Sequence, residues 1–368
     1  MAIINLPEPR AKKYSTVVDL DKTYYFVQVI HAFEVSRVLD TVPEEILEFI
    51  RHGNIYLIIS NEFECFDDVI EEIYNSIIIT SKVPENKILF LSGAEDIKQL
   101  SDNITKNFNK IYNTNFLGLN AKFFNGGEIS IGSQIGKNKT NLKRTLSLNG
   151  KIDYKKHYIL LNNRWRPHRP TLVAILSCKD LLSKGYVSLG DNDANYSWSN
   201  IYNQLVSLNK NSDFISTLLQ KHEIQIKSLG KFELDAHKFE HKKPMLSPTL
   251  SQYYEQSFMS IVTETYFYNH NTMFISEKTY KPIAYKQPFI IVGVKGTLQF
   301  LKRLGYKTFH PYIDESYDNE EDSALRMEKI VQEIERICML DNDSLRKLST
   351  EIRDICIHNY NVLLSKVQ

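Results

Sequence analysis

The stretch Ser260–Gly296, S-I-V-T-E-T-Y-F-Y-N-H-N-T-M-F-I-S-E-K-T-Y-K-P-I-A-Y-K-Q-P-F-I-I-V-G-V-K-G, constrains the fold more than any other part of the chain. It reads as a β-branched strand (Ile261 to Thr265), a polar loop, a helix opening at Ser276-Glu277-Lys278, and a second strand (Pro288 to Val292) closed by glycine. Units of this kind set a helix N-terminus at the carboxyl edge of a parallel sheet. The unpaired N–H groups and positive dipole end there favour anions.

The rest of the chain repeats that grammar. Strands are expected at Thr23–Ile30, Ile55–Ser60 and Lys87–Gly93, and helices at Ser36–Arg51, Asp67–Asn75 and Ile97–Phe108, so the first half reads as a Rossmann-like unit. A second series follows, with strands at His157–Leu161 and Val187–Leu189, and helices at Thr171–Ser183 and Ile201–Leu219. A proline-punctuated loop spans Lys242–Pro248. Beyond the opening stretch come a helix Thr297–Leu304, a short strand at Thr308-Phe309, and two helices, Glu320–Met339 and Asp343–Lys366.

At 368 residues the chain is long for one core, so two domains are expected. The polar stretch before Gly150 suits a linker. The expected division is an N-terminal Rossmann-like domain (1–150), a second α/β domain (151–342) and a C-terminal helix (343–368). Two such α/β domains facing a cleft is the architecture expected. Ligands in these folds lie at the carboxyl ends of the strands.

A net charge of +1 means that affinity for nucleic acid must come from a local patch. One is present: Lys137–Pro170 carries ten Lys or Arg against a single acid, Asp153. The four cysteines, Cys65, Cys178, Cys338 and Cys356, form no C-x-x-C pair, which argues against a zinc site and gives no disulfide framework. With no signal-peptide pattern and no long apolar run, a cytoplasmic protein without a membrane span is expected.

Three features can carry chemistry. The loop Asn162–Pro170 holds Arg164, Arg166, His168 and Arg169 between a strand and a helix; arginine forks and a helix N-terminus together suit a diphosphate, and the alternative is a solvated basic loop. Ser276-Glu277-Lys278 fits a capped helix start, yet a lysine in the first turn opposes the dipole unless an anion lies nearby. Glu277 could then accept from a ribose diol. The acidic run Ile313–Asp322 lacks the order of a calcium loop and reads as solvated surface, with Asp314 and Glu315 expected to line the cleft. A P-loop pattern is absent from the sequence.

The order of these motifs, N-x-x-x-x-x-R before a helix (Asn163 to Arg169), β-x-E (Val262 to Glu264), S-E-K (Ser276 to Lys278) and a strand ending in glycine (Pro288 to Gly293), resembles the donor domain of the α1,3-fucosyltransferase-like glycosyltransferases. The resemblance covers roughly Tyr158–Phe309. It implies a GT-B glycosyltransferase, metal-independent and inverting, with a nucleotide-sugar as co-substrate and no other cofactor. By matching positions, Arg169 would contact the diphosphate, Glu264 would face the donor, Glu277 would hold the ribose and Lys278 would neutralise the phosphates. Arg164, Arg166, Ser276 and Lys281 join them as donor-site candidates. Thr263 and Thr265 depart from the family's strand end, which leaves the sugar open.

Glycosyl transfer also needs a base for the acceptor hydroxyl. Glu62, Glu64, Asp67, Glu95 and Glu128 are all eligible. Glu128, in F-F-N-G-G-E-I-S, is the expected base, because paired glycines let a substrate approach closely. The acceptor is expected to be a glycan or a modified DNA base, and the Asn-, Ile- and Lys-rich composition is of the kind found in AT-rich phage and viral genomes. The competing expectation is a nucleic-acid-binding protein that uses segment 137–170 without catalysis.

Overall fold

The computed structural model describes residues 22–29, 34–61, 67–137, 153–190, 197–232, 234, 246, 248–268 and 272–366. It is a mixed α/β structure with two four-stranded sheets, every strand pairing parallel to its neighbour. The chain forms two compact units, Met1–Ile129 with Thr272–Ser276, and Ser130–Asn271 with Glu277–Gln368. Gly150, the expected boundary, lies outside the described residues.

In the first unit the sheet runs β1 (Thr23–Gln28), β2 (Ile55–Asn61), β3 (Ile88–Ser92) and β4 (Asn120–Phe123), in sequential order. Helices α1 (Glu34–Thr41) and α2 (Glu44–His52) replace the single expected helix. Pro43, which has no N–H to donate and disfavours helical backbone in the residue before it, divides them. Helix α3 (Asp67–Glu72) continues as a π-helical stretch, Ile73–Thr80, and is followed by α4 (Ile97–Tyr112); α5 (Gly126–Lys137) starts in this unit and runs on into the second, the division falling between Ile129 and Ser130. Strand β4 and helix α5 had no counterpart in the sequence reading.

The second unit places its strands in the order β6-β5-β7-β8, with β5 at Lys156–Asn162, β6 at Gly185–Leu189, β7 at Ser257–Thr263 and β8 at Phe289–Val292. β7 starts four residues before the expected strand because its polar residues are satisfied internally. The Gln287 amide donates to Ser257 O at 2.8 Å and accepts from Ser260 Oγ at 2.5 Å. Helices follow as α6 (His168–Cys178), α7 (Trp198–Leu208), α8 (Asp213–Lys221), α9 (Glu223–Lys227), α10 (Pro248–Glu255), α11 (Glu277–Ala284), α12 (Thr297–Arg303), α13 (Ser323–Cys338), α14 (Asn342–Glu351) and α15 (Arg353–Ser365).

Four expectations for this unit are corrected. The helix over 201–219 is two, since Ser212 caps α8 by accepting from Ile215 N–H at 3.1 Å. The C-terminal helix is likewise two, interrupted at Ile352. Pro248, expected in a loop, opens α10, while most of 242–247 lies outside the described residues. No strand forms at Thr308-Phe309. Thr308 Oγ1 and the N–H groups of Phe309 and His310 donate to the Glu315 carboxylate at 2.7, 2.5 and 3.1 Å, so their hydrogen bonds close a loop instead. Glu315 is thereby a loop-closing residue. Among the described residues, no helix is long and apolar enough to cross a membrane.

Candidate functional site

Strand order locates the site. In the second unit the chain steps from β5 to β6 on one side and later returns to β7 on the other, so a crevice opens between the carboxyl ends of β5 and β7. Such reversals are where open parallel sheets hold ligands. The first unit's strictly sequential order shows no reversal among its described strands.

The sequence after each of those two strands is polar and charged. After β5 come exposed Arg164, half-buried Arg166 and then His168 and Arg169, which form the first turn of α6 and are buried. The basic loop is therefore only in part a solvated one. Proline at 167 and 170 suits a helix start, where the missing N–H groups are unpaired anyway. Arg169 donates from Nη1 to Arg164 O at 2.7 Å and from Nη2 to Thr263 O and Glu264 O at 3.4 and 3.3 Å, tying the loop to the end of β7. Its Nε is buried with no hydrogen-bond partner. Burial and neighbouring Arg166 lower its pKa to about 10, so it stays charged at neutral pH.

His168 is not one of the cations. Burial and the adjacent Arg169 push its pKa well below the ordinary value. Nε2 lies 2.8 Å from Glu264 O, and since a carbonyl can only accept, Nε2 carries the proton. Asn162, the last residue of β5, accepts from Thr263 Oγ1 through Oδ1 and leaves its Nδ2 buried without a partner.

After β7, Glu264 is buried and accepts from Thr279 Oγ1 at 2.6 Å, which links it to α11. Glu277 opens α11, and Lys278 Nζ stands 3.4 Å from its carboxylate. Burial alone would raise the Glu277 pKa; Lys278 and Lys281 outweigh it and bring it to about 2. Lys281 itself is lowered, chiefly by burial, with Glu277 and Glu264 pulling the other way. A small cavity of about 40 Å³, lined by Leu161, Thr263, Lys278, Lys281 and Pro282 among others, adjoins this group.

Arg164, Arg166, Arg169, Glu264, Glu277, Lys278 and Lys281 thus gather at one sheet edge, five cations facing two carboxylates. Ser276 stands one residue before α11, buried, and ends the segment Thr272–Ser276 that belongs to the first unit. Glu128 lies in the first unit, buried in the first turn of α5, where its N–H donates to Asn125 Oδ1 at 3.1 Å. Of the other candidate bases, Glu62 and Glu64 lie outside the described residues, as does the 138–152 part of the basic segment.

Sequence reasoning missed Asn162 and Thr279. Asn162 carried a signal, the first of two amides that end the apolar run Tyr158–Leu161; Thr279 carried none apart from its place in the first turn after Glu277. No group of three or more His, Cys, Asp or Glu that could hold a metal is present among the described residues.

No family model and no curated protein matches the chain. Among solved structures, the N-terminal domain of trehalose-6-phosphate phosphatase from Candida albicans aligns over 99% of this chain and 82% of its own, at 9% identity and a TM-score of 0.41. A likeness at that level indicates neither activity nor substrate.

Proposed function

We propose that the protein is a nucleotide-sugar-dependent glycosyltransferase whose donor diphosphate binds at the carboxyl edge of the second sheet. The observation that carries this reading is Arg169: a buried guanidinium at the β5/β7 switch point, short of one hydrogen bond and crowded by like charge. Burying a cation beside other cations is unfavourable. A diphosphate would accept the orphan N–H and reverse the electrostatic penalty.

On this reading Arg164, Arg166 and Lys278 balance the phosphates, with Lys281 behind them. The charge that develops on the departing diphosphate during transfer needs such a preorganised cationic frame. Glu277, fully ionised, serves as acceptor for the ribose diol, and Glu264, oriented by Thr279, faces the sugar. The two parallel-sheet units correspond to the acceptor and donor halves of a GT-B enzyme, acting without a required metal and with inversion. Glu128 of the first unit is the proposed base toward a hydroxyl acceptor, a glycan or a modified DNA base.

A thermal-shift screen of UDP, GDP, CMP and their sugars tests the proposal, since a ligand that binds only folded protein raises the melting temperature by mass action. At least one nucleoside diphosphate is expected to stabilise the protein. The half-exposed Lys278→Ala variant is expected to bind it about tenfold more weakly, the scale of one charge-assisted hydrogen bond. Absence of any shift across the screen, or equal affinity in the variant, would falsify the assignment.

A further inference from the structure

A second feature lies in the first unit, at the opposite edge of its sheet from where parallel sheets hold substrates. A pocket of about 130 Å³ opens over the amino ends of the four strands. Its walls are Lys22, Tyr24, Tyr56, Asn86, Asn120 and Lys122, above a floor of Ile88 and Leu89. The strand register explains the grouping. Tyr24 pairs with Tyr56 and Leu89 with Asn120, so side chains of one sheet face converge.

The two tyrosine rings lie 5.8 Å apart, and the ammonium groups of Lys22 and Lys87 stand 4.7 and 4.6 Å from the centre of the Tyr56 ring. Lys87 is fixed there by donating to Gly53 O at 2.7 Å. No carboxylate lines the pocket among the described residues. Lys22, Asn86, Asn120 and Lys122 are all exposed, at the mouth.

We infer that this edge binds single-stranded nucleic acid, one base entering the pocket beside Tyr24 and Tyr56 while the lysines follow the phosphates. Size excludes a whole nucleotide inside: drug-sized ligands occupy about 300–1,000 Å³. A single ring fits, and its phosphate must lie outside with the ammonium groups. The lysines precede β1, precede β3 and lie within β4, so the row crosses the sheet. At about 4.8 Å between strands, that row is roughly 14 Å long, which suits successive phosphates rather than one. The asparagine amides offer both donors and acceptors to a base edge. Basic grooves interleaved with aromatic rings are how proteins hold single strands without strict sequence preference. The inference does not depend on the glycosyltransferase reading.

Fluorescence anisotropy of the full chain with a labelled mixed-sequence 12-mer of single-stranded DNA tests it, with a deoxymononucleotide as competitor. Wild type is expected to bind with a log K against log[salt] slope of about −2, since each neutralised phosphate of a single strand contributes about −0.7. Lys22→Ala with Lys122→Ala removes two exposed side chains and is expected to cut the slope by about 1.4. Tyr56→Leu, checked for folding by circular dichroism, is expected to weaken binding about tenfold with the slope unchanged, because stacking is not a counterion effect. Three results would overturn the inference: no binding at low salt, binding unaltered by the lysine pair, or mononucleotide binding as tight as the 12-mer.

Discussion

Glu277 is held as an anion by two lysines against the effect of burial, and the pH dependence of that balance has a definite sign. Its pKa falls from 4.5 to about 2 on folding, so the folded state favours the ionised form. The resulting stability is fully present above about pH 4.5 and is lost as pH falls toward 2. The shift alone corresponds to roughly 3 kcal/mol. Lys281 offsets part of it, because burial lowers its own pKa, and the net contribution is about 1–3 kcal/mol. Glu277→Gln is therefore expected to destabilise the protein by that amount at pH 7, and the gap to wild type should close by about pH 2. Urea unfolding of both proteins across this range is the measurement. A gap independent of pH would mean that the carboxylate's charge is not what stabilises the site.

At the level of elements, the loops after β5 and β6 meet with no room to spare. Gly190 N–H donates to Asn162 O at 2.9 Å, and a Cβ on Gly190 would fall 2.3 Å from Asn163 O. That carbonyl is backbone, so it cannot swing aside as a side chain would. Gly190→Ala is expected to cost about 1–3 kcal/mol of stability and to weaken nucleoside diphosphate binding as the Asn163–Arg169 loop shifts. Differential scanning calorimetry and titration calorimetry would read the two effects separately. Loss of stability with unchanged affinity would show that the loop's position is set elsewhere. The same loops show what the sequence made legible. Apolar runs such as Tyr158–Leu161 and Phe289–Val292 revealed the strands, and Ser276-Glu277-Lys278 revealed a helix start, because those signals are local. Strand β7 was misplaced and the Thr308-Phe309 strand overcalled because Gln287 and Glu315, distant or loop-borne partners, decide where those polar groups bond. Asn162 and Thr279 escaped for the same reason: their importance lies in contacts with Thr263 and Glu264, which no spacing rule encodes.

For the molecule as a whole, one of the peptide bonds at which the chain passes between units adjoins the site, that between Ser276 and Glu277. Thr272–Ser276 belongs to the first unit, where Ala94 bridges Phe274 and Glu95 N–H donates to Met273 O at 3.1 Å; Glu277 then opens α11 of the second. The chain thus crosses between units immediately before the residues proposed to hold the ribose and the phosphates. Fixing Glu277 and Lys278 on a ligand restricts the backbone that precedes them, and that backbone is the segment paired with Glu95. Local opening free energies are raised when a ligand binds only the closed form. Saturating nucleoside diphosphate is therefore expected to slow amide exchange at Glu95 several-fold, alongside the amides of α11. Hydrogen exchange by mass spectrometry resolves the two peptides. Protection confined to α11 would show that the crossing carries no coupling. Protection at both would mean that occupancy of the second unit's anion site is felt in the first unit through the chain itself.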